Sequence, residues 1–169
     1  MFCYQCEQTD HTADPNRPNL LTFGCASQKG NCGKDATTAA LQDVLIHVDL
    51  GIGQYAEKLR QLGAPDAQYA AHASYDLFTT LTNANFNTTR FMSLIADAVA
   101  VREQARQAYE AAARAAGKEP ETLTGAAQFV PATTVAEVRV LRMAPPAGAR
   151  RRPAEGGPLN CAGHRQFAA

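Results

Sequence analysis

The chain has 169 residues, enough for one ordinary domain with a core, or for one domain and a tail. Apolar residues make up 46%, much of it alanine, which suits closely packed helices and buries little area per residue. A formal net charge of zero gives no overall attraction to nucleic acid or an anionic membrane, and no run approaches the ~20 apolar residues of a membrane span.

The first segment, residues 1–34, holds four of the five cysteines. Cys3-Tyr4-Gln5-Cys6 is followed by eighteen intervening residues and then by Cys25 and Cys32, separated by six. Pro15, Asn16, Pro18 and Asn19 break any regular pattern between the two pairs, so this is a cysteine-bearing loop region. The start, Met1-Phe2-Cys3, lacks a basic stretch leading into an apolar one, which predicts a cytoplasmic protein with reduced thiols.

From Lys34 the pattern becomes helical. Leu41, Val44, Leu45, Val48, Ile52, Tyr55, Leu59 and Leu62 recur at spacings of three and four and form one apolar stripe. Asp35 or Thr37 can cap its start, and Gly63 followed by Pro65 stops it. Gly51 and Gly53 inside the stripe mark either a close approach by a neighbour or a bend. A second helix is predicted over 67–82 with Tyr75, Phe78 and Leu81 inward, then a turn at 83–87 with Asn87 or Thr88 as cap. A third is predicted over 90–116, with Phe91, Leu94, Ile95, Ala98, Val101, Ala105 and Ala108 on one face and Gly117 at its end. Short connections between long helices predict an all-α chain, an antiparallel helical bundle over 35–138.

Residues 139–169 change character. They hold six arginines against one glutamate among many Pro, Gly and Ala, whereas the preceding 138 residues carry a net charge of minus five. No aromatic or helical pattern accompanies Arg150-Arg151-Arg152, so the expectation is an irregular tail rather than a nucleic-acid patch. Such a shift also fits a segment read in the wrong frame or a truncated product.

The cysteines carry the chemistry. A Cys-x2-Cys turn aims two sulfurs at one metal, and the metal favours the thiolate. Structural zinc sites usually close with a second short pair, whereas the six-residue loop from Cys25 to Cys32 suits wrapping an iron–sulfur cluster. Gly24, Gly30 and Gly33 let backbone N–H groups approach, and Lys29 and Lys34 favour a reduced, more negative cluster. Zinc remains the main alternative on these grounds, with redox-active thiols or inert cysteines after it. His47 and His72 lack partners at ligand spacing and read as ordinary helix histidines; His11 reads as a neighbour of the cysteines or a solvated residue. Cys161 and His164 receive no role. Glu103 on the third helix can pair with Arg106 or Gln107.

Several separated blocks resemble the hybrid-cluster (prismane) proteins, or hydroxylamine reductases. They are Met1-Phe2-Cys3-Tyr4-Gln5-Cys6-Glu7-Gln8-Thr9, Gly24-Cys25 through Cys32-Gly33-Lys34, Leu41-Gln42-Asp43-Val44-Leu45-Ile46, and Thr80-Leu81-Thr82-Asn83-Ala84-Asn85-Phe86. The resemblance covers about residues 1–116 and ends by Val138. It implies that Cys3, Cys6, Cys25 and Cys32 ligate an electron-relaying cluster. The six-residue spacing resembles the branch with a [2Fe–2S] cluster, with [4Fe–4S] the alternative, although the gap after Cys6 is longer than either branch leads one to expect.

The resemblance further implies reduction of hydroxylamine to ammonia and water, possible nitric oxide reduction, and an NADH-dependent flavin and iron–sulfur reductase as electron donor. The family's catalytic hybrid cluster is held by later domains, for which this chain offers no ligands, so no catalytic residue is assigned and the chain is expected to be inactive alone. Two other readings compete: a stand-alone iron–sulfur electron carrier, and a zinc-stabilised helical interaction module.

Overall fold

A computed structural model of the chain describes residues 32–81 and 84–137. Every element among these residues is helical: α1 (Ala36–Gln61), α2 (Ala67–Thr80), α3 (Thr88–Ala115) and a short 3-10 turn, η1 (Gly125–Gln128). The all-α expectation holds. The tail expected over 139–169 and most of the expected cysteine loop lie outside the described residues.

Local chemistry fixes the helix ends. Asp35 precedes α1 in extended conformation, and its carboxylate accepts the Thr38 N–H at 2.7 Å. At the other end Gly63 takes φ +69°, while the Gly63 and Ala64 N–H groups close on the Arg60 and Leu59 carbonyls. That is a Schellman stop, which needs a residue tolerant of the left-handed region. Asn87 caps α3 by accepting the Arg90 N–H at 2.9 Å, and Gly117, φ +68°, ends it in the same way. Asp66, before α2, makes no such cap; its carboxylate is held instead by Arg60, at 2.6 Å from Nη2.

The bundle runs up, down and up. Consecutive helices are antiparallel, so α1 and α3 run parallel: Gly51 lies near Arg102, and Tyr55 near Tyr109, with ring centroids 6.2 Å apart. The predicted stripe on α1 forms the centre. Leu41, Leu45, Val48, Ile52, Tyr55 and Leu59 are buried against Phe91, Leu94, Ile95, Ala98 and Ala105. Each such aliphatic side chain contributes roughly 1.5–3 kcal/mol by leaving water. On α3 the stripe is rotated from its expected line: Arg102 and Tyr109 are buried, while Val101 and Ala108 are only partly so.

After α3 the chain returns along α1 as a strap. Glu121 meets Lys58 at 2.6 Å, the Thr124 carbonyl accepts from Gln54 at 3.4 Å, and the Ala126 carbonyl sits over Gly51. Phe129 then meets the edge of His47 at a centroid distance of 4.7 Å. At Gly51 an added Cβ would lie 2.5 Å from the Ala126 oxygen, whereas at Gly53 it would meet nothing within 4 Å. Close approach, rather than bending, accounts for the first of the two glycines.

One expectation fails. Tyr75, Phe78 and Leu81 do not face inward; they are 52%, 64% and 53% exposed. The face of α2 that packs on the bundle carries Tyr69, Asp76, Thr79 and Thr80 instead. Hydrophobicity picked the wrong side of this helix, because Tyr75, Phe78 and Leu81 are covered by no element among the described residues, while Tyr69 alone of its large apolar residues reaches the core.

Candidate functional site

Of the four expected ligands, Cys3, Cys6 and Cys25 lie outside the described residues, and Cys32 lies within them. Cys32 is a free, half-buried thiol just ahead of α1. Gly33 follows with φ +88°, and a Cβ there would lie 3.9 Å from the ring of Phe86, so glycine serves the backbone conformation more than the space. Lys34 is buried to 1% exposure, a rare position for a lysine.

The turn between α2 and α3 supports this end of α1. Gln42 is fully buried and donates Nε2 to the Asn85 carbonyl at 3.4 Å, while its Oε1 has no partner. The segments around Cys32, Gln42 and Phe86, far apart in sequence, therefore meet at one end of the bundle. Among the described residues no group of three or more His, Cys, Asp or Glu side chains could hold a metal ion. A cluster site there requires the three cysteines that precede Cys32.

A second polar group is buried at mid-bundle, where the sequence reading placed nothing. Asp49 of α1 and Asp76 of α2 are 5% and 0% exposed, and none of their four carboxylate oxygens makes an aligned hydrogen bond. His72 Nε2 approaches Asp76 Oδ2 at 3.2 Å, near enough for an ion pair but without hydrogen-bond alignment. Burial first, and the neighbouring Asp76 charge second, push the Asp49 carboxyl up to about 8. Asp76 is raised too, chiefly by burial, with His72 opposing. Asp49 could have been suspected, because it stands between Leu45 and Ile52 within the apolar stripe. His72 is thus tied to Asp76, and His47 to Phe129.

The charged outer face of α3 is structural. Arg106 bridges Glu103 and Glu110, and Gln107 donates to Glu103 at 2.9 Å, as the spacing anticipated. Exposed pairs of this type contribute ~0.3–0.5 kcal/mol each. Among the described residues no helix is long and apolar enough to cross a membrane.

The Prismane/CO dehydrogenase family model matches residues 1–141. The hydroxylamine reductase of Acidiphilium cryptum (strain JF-5) is 51% identical over 135 residues, which cover 80% of this chain and 23% of that protein. Hydroxylamine reductases of Burkholderia ambifaria (strain MC40-6) and Acidithiobacillus ferrooxidans (strain ATCC 53993 / BNL-5-31) are 50% and 49% identical over 80% and 86% of the chain. The chain spans about a quarter of the length of these curated relatives. It belongs to the Prismane/CO dehydrogenase family.

Proposed function

We propose that this member of the family supplies the electron-entry portion of a hydroxylamine reductase, with Cys3, Cys6, Cys25 and Cys32 as ligands of an iron–sulfur cluster. The observation that carries the reading is Cys32, an unpaired and half-buried thiol at the foot of α1, following three cysteines at cluster spacing within a matched family segment. The donor set fits the group, because four soft thiolates suit iron–sulfur or zinc, and the six-residue loop before Cys32 favours the former. A [2Fe–2S] cluster is the form this spacing favours, with [4Fe–4S] the alternative.

When bound, the cluster supplies single-electron relay. The chain's own residues hold and tune the site. Gly33 turns the backbone beside Phe86 so that Cys32 meets the rigid start of α1, and Gln42 ties that start to the α2–α3 turn through Asn85. Lys34, two residues on, adds positive charge that offsets the thiolates. The division of labour is a cluster segment over 1–34 on a helical support over 35–138.

Hydroxylamine is the substrate of the whole reductase under this reading, an NADH-dependent flavin and iron–sulfur reductase its electron donor, and the cytoplasm its location. No residue of this chain is assigned a catalytic role, and the 169-residue chain alone is expected to leave hydroxylamine unreduced. Oxygen-free purification with iron and sulfide analysis tests the reading. About two irons and two sulfides per chain, with visible absorption, support it; a colourless protein containing one zinc replaces it with the zinc-stabilised interaction module.

A further inference from the structure

Asp49 of α1 and Asp76 of α2 meet across the middle of the α1–α2 interface, at 5% and 0% exposure. Their side chains are hydrogen-bonding neighbours. As two carboxylates neither has a proton to donate, and all four oxygens then stay unpartnered. Two like charges in contact and away from water are costly on both counts. One proton between them removes both costs, because a carboxylic acid donates where a carboxylate only accepts.

Little else fastens α2. Tyr69 is its one large apolar side chain in the core, whereas α1 and α3 meet through Leu41, Leu45, Ile52, Phe91, Leu94 and Ile95. Thr79 and Thr80 are buried too, but their hydroxyls donate back to the Asp76 and Leu77 carbonyls of α2 itself, at 2.7 and 2.8 Å. No side chain caps the start of the helix. Elements with few buried apolar contacts open locally before the whole molecule unfolds.

We propose that the Asp49–Asp76 pair is a proton-dependent latch: one proton shared by the two carboxyls holds α2 against α1, and its loss to water releases α2 while α1 and α3 stay packed. The charges around the pair set where the proton resides. On α2, His72 Nε2 lies 3.2 Å from Asp76 Oδ2 and favours the ionised form of that carboxyl. From α3, Arg90 acts in the same direction and Asp97 against it. Glu57 and Lys58 lie farther along α1, with Lys58 held by Glu121 at 2.6 Å, and η1 brings no titratable group. The proton therefore resides on Asp49, whose carboxyl is pushed up to about 8 by burial first and by Asp76 second. Once α2 leaves, Asp49 returns to its ordinary 3.8 and gives the proton up. Opening is thus least favourable in acid and grows as the pH rises towards about 8.

Hydrogen exchange on the intact 169-residue chain, followed by mass spectrometry from about pH 5 to about pH 8, tests the latch. Protection factors, which divide out the base-catalysed rate of a free amide, are compared for α2 and for the buried stretches of α1 and α3. Protection over α2 should fall about tenfold per pH unit, the signature of one proton released on opening. At each pH it should stay at least about tenfold below that of the α1 and α3 core. Asp49→Asn offers Asp76 an amide donor at every pH, so the slope over α2 should vanish. Asp76→Asn places the donor on the other helix and should lower the slope, with circular dichroism checking that both variants fold.

Equal protection over all three helices shows that the bundle opens only as a whole, and overturns the proposal. Protection over α2 that does not change with pH overturns it as well. A slope that persists in both variants assigns the titration to another group, with the same consequence.

Discussion

Gly51 of α1 and Arg102 of α3 meet beneath one carbonyl, that of Ala126. The guanidinium donates Nη1 to this oxygen at 2.9 Å, and the bare Cα of Gly51 makes room for both. Arg102 is 9% exposed, and burial lowers its pKa, so the bond to Ala126 compensates a desolvated charge. Together they fasten the returning strap to the bundle. Gly51→Ala would set a Cβ 2.7 Å from Arg102 Cδ as well as against the Ala126 oxygen. Such overpacking costs about 1–3 kcal/mol. Urea unfolding should show that loss for Gly51→Ala, while Gly53→Ala, with open space around it, should be neutral or mildly stabilising.

The Asp49–Asp76 pair predicts an unusual pH dependence. The folded-state pKa of Asp49, about 8, stands above its ordinary 3.8. Between those values the folded protein retains a proton that the unfolded chain releases. This group's effect is therefore most favourable below pH 3.8, and stability falls as pH rises towards about 8. The slope is on the order of 1 kcal/mol per pH unit. The charges of His72 and Arg90 oppose the upward shift of Asp76, and that of Asp97 adds to it. Asp49→Asn removes the ionisation, so thermal melts from pH 5 to pH 8 should flatten and the variant should gain most at the alkaline end. An unchanged pH profile would show that the two carboxyls are solvated.

Helix ends give a smaller, cleaner effect. Asp35→Ala removes the acceptor that holds the Thr38 N–H. The expected cost is about 0.5–2 kcal/mol. Asn87→Ala should behave similarly at the start of α3, whereas Asp66→Ala, where no cap bond exists, should lose only its ion pair with Arg60. Chemical denaturation of the three variants checks the ranking.

In the core, Leu45 is fully buried between α1 and its neighbours. Leu45→Ala should destabilise by about 2–5 kcal/mol. Phe78→Ala, at 64% exposure, should change the stability of this chain by less than about 0.5 kcal/mol. Equal effects would mean that the outer face of α2 is buried in solution.

Much of the fold could be read from the sequence because its signals are local. Asp35, Gly63, Asn87 and Gly117 act within a turn of where they stand, and the α1 stripe is a simple periodicity. What escaped depends on partners distant in sequence. Nothing near Asp49 announces Asp76, and nothing near Arg102 announces the Ala126 carbonyl. Tyr75, Phe78 and Leu81 misled because apolar character does not reveal which surface covers a residue. At the candidate site, the spacing of the cysteines was legible, while the meeting of Gln42 with Asn85 and of Gly33 with Phe86 appears only once the helices are packed.

Cys32 offers the most direct test of the central claim. Mössbauer spectroscopy should be recorded on iron-57-reconstituted chain and on Cys32→Ser, with far-UV circular dichroism confirming that both fold alike. The account predicts a spin-coupled two-iron signal in the first that is lost or strongly altered in the second. Adventitious mononuclear iron in both, or identical cluster spectra with and without the Cys32 thiol, would contradict it.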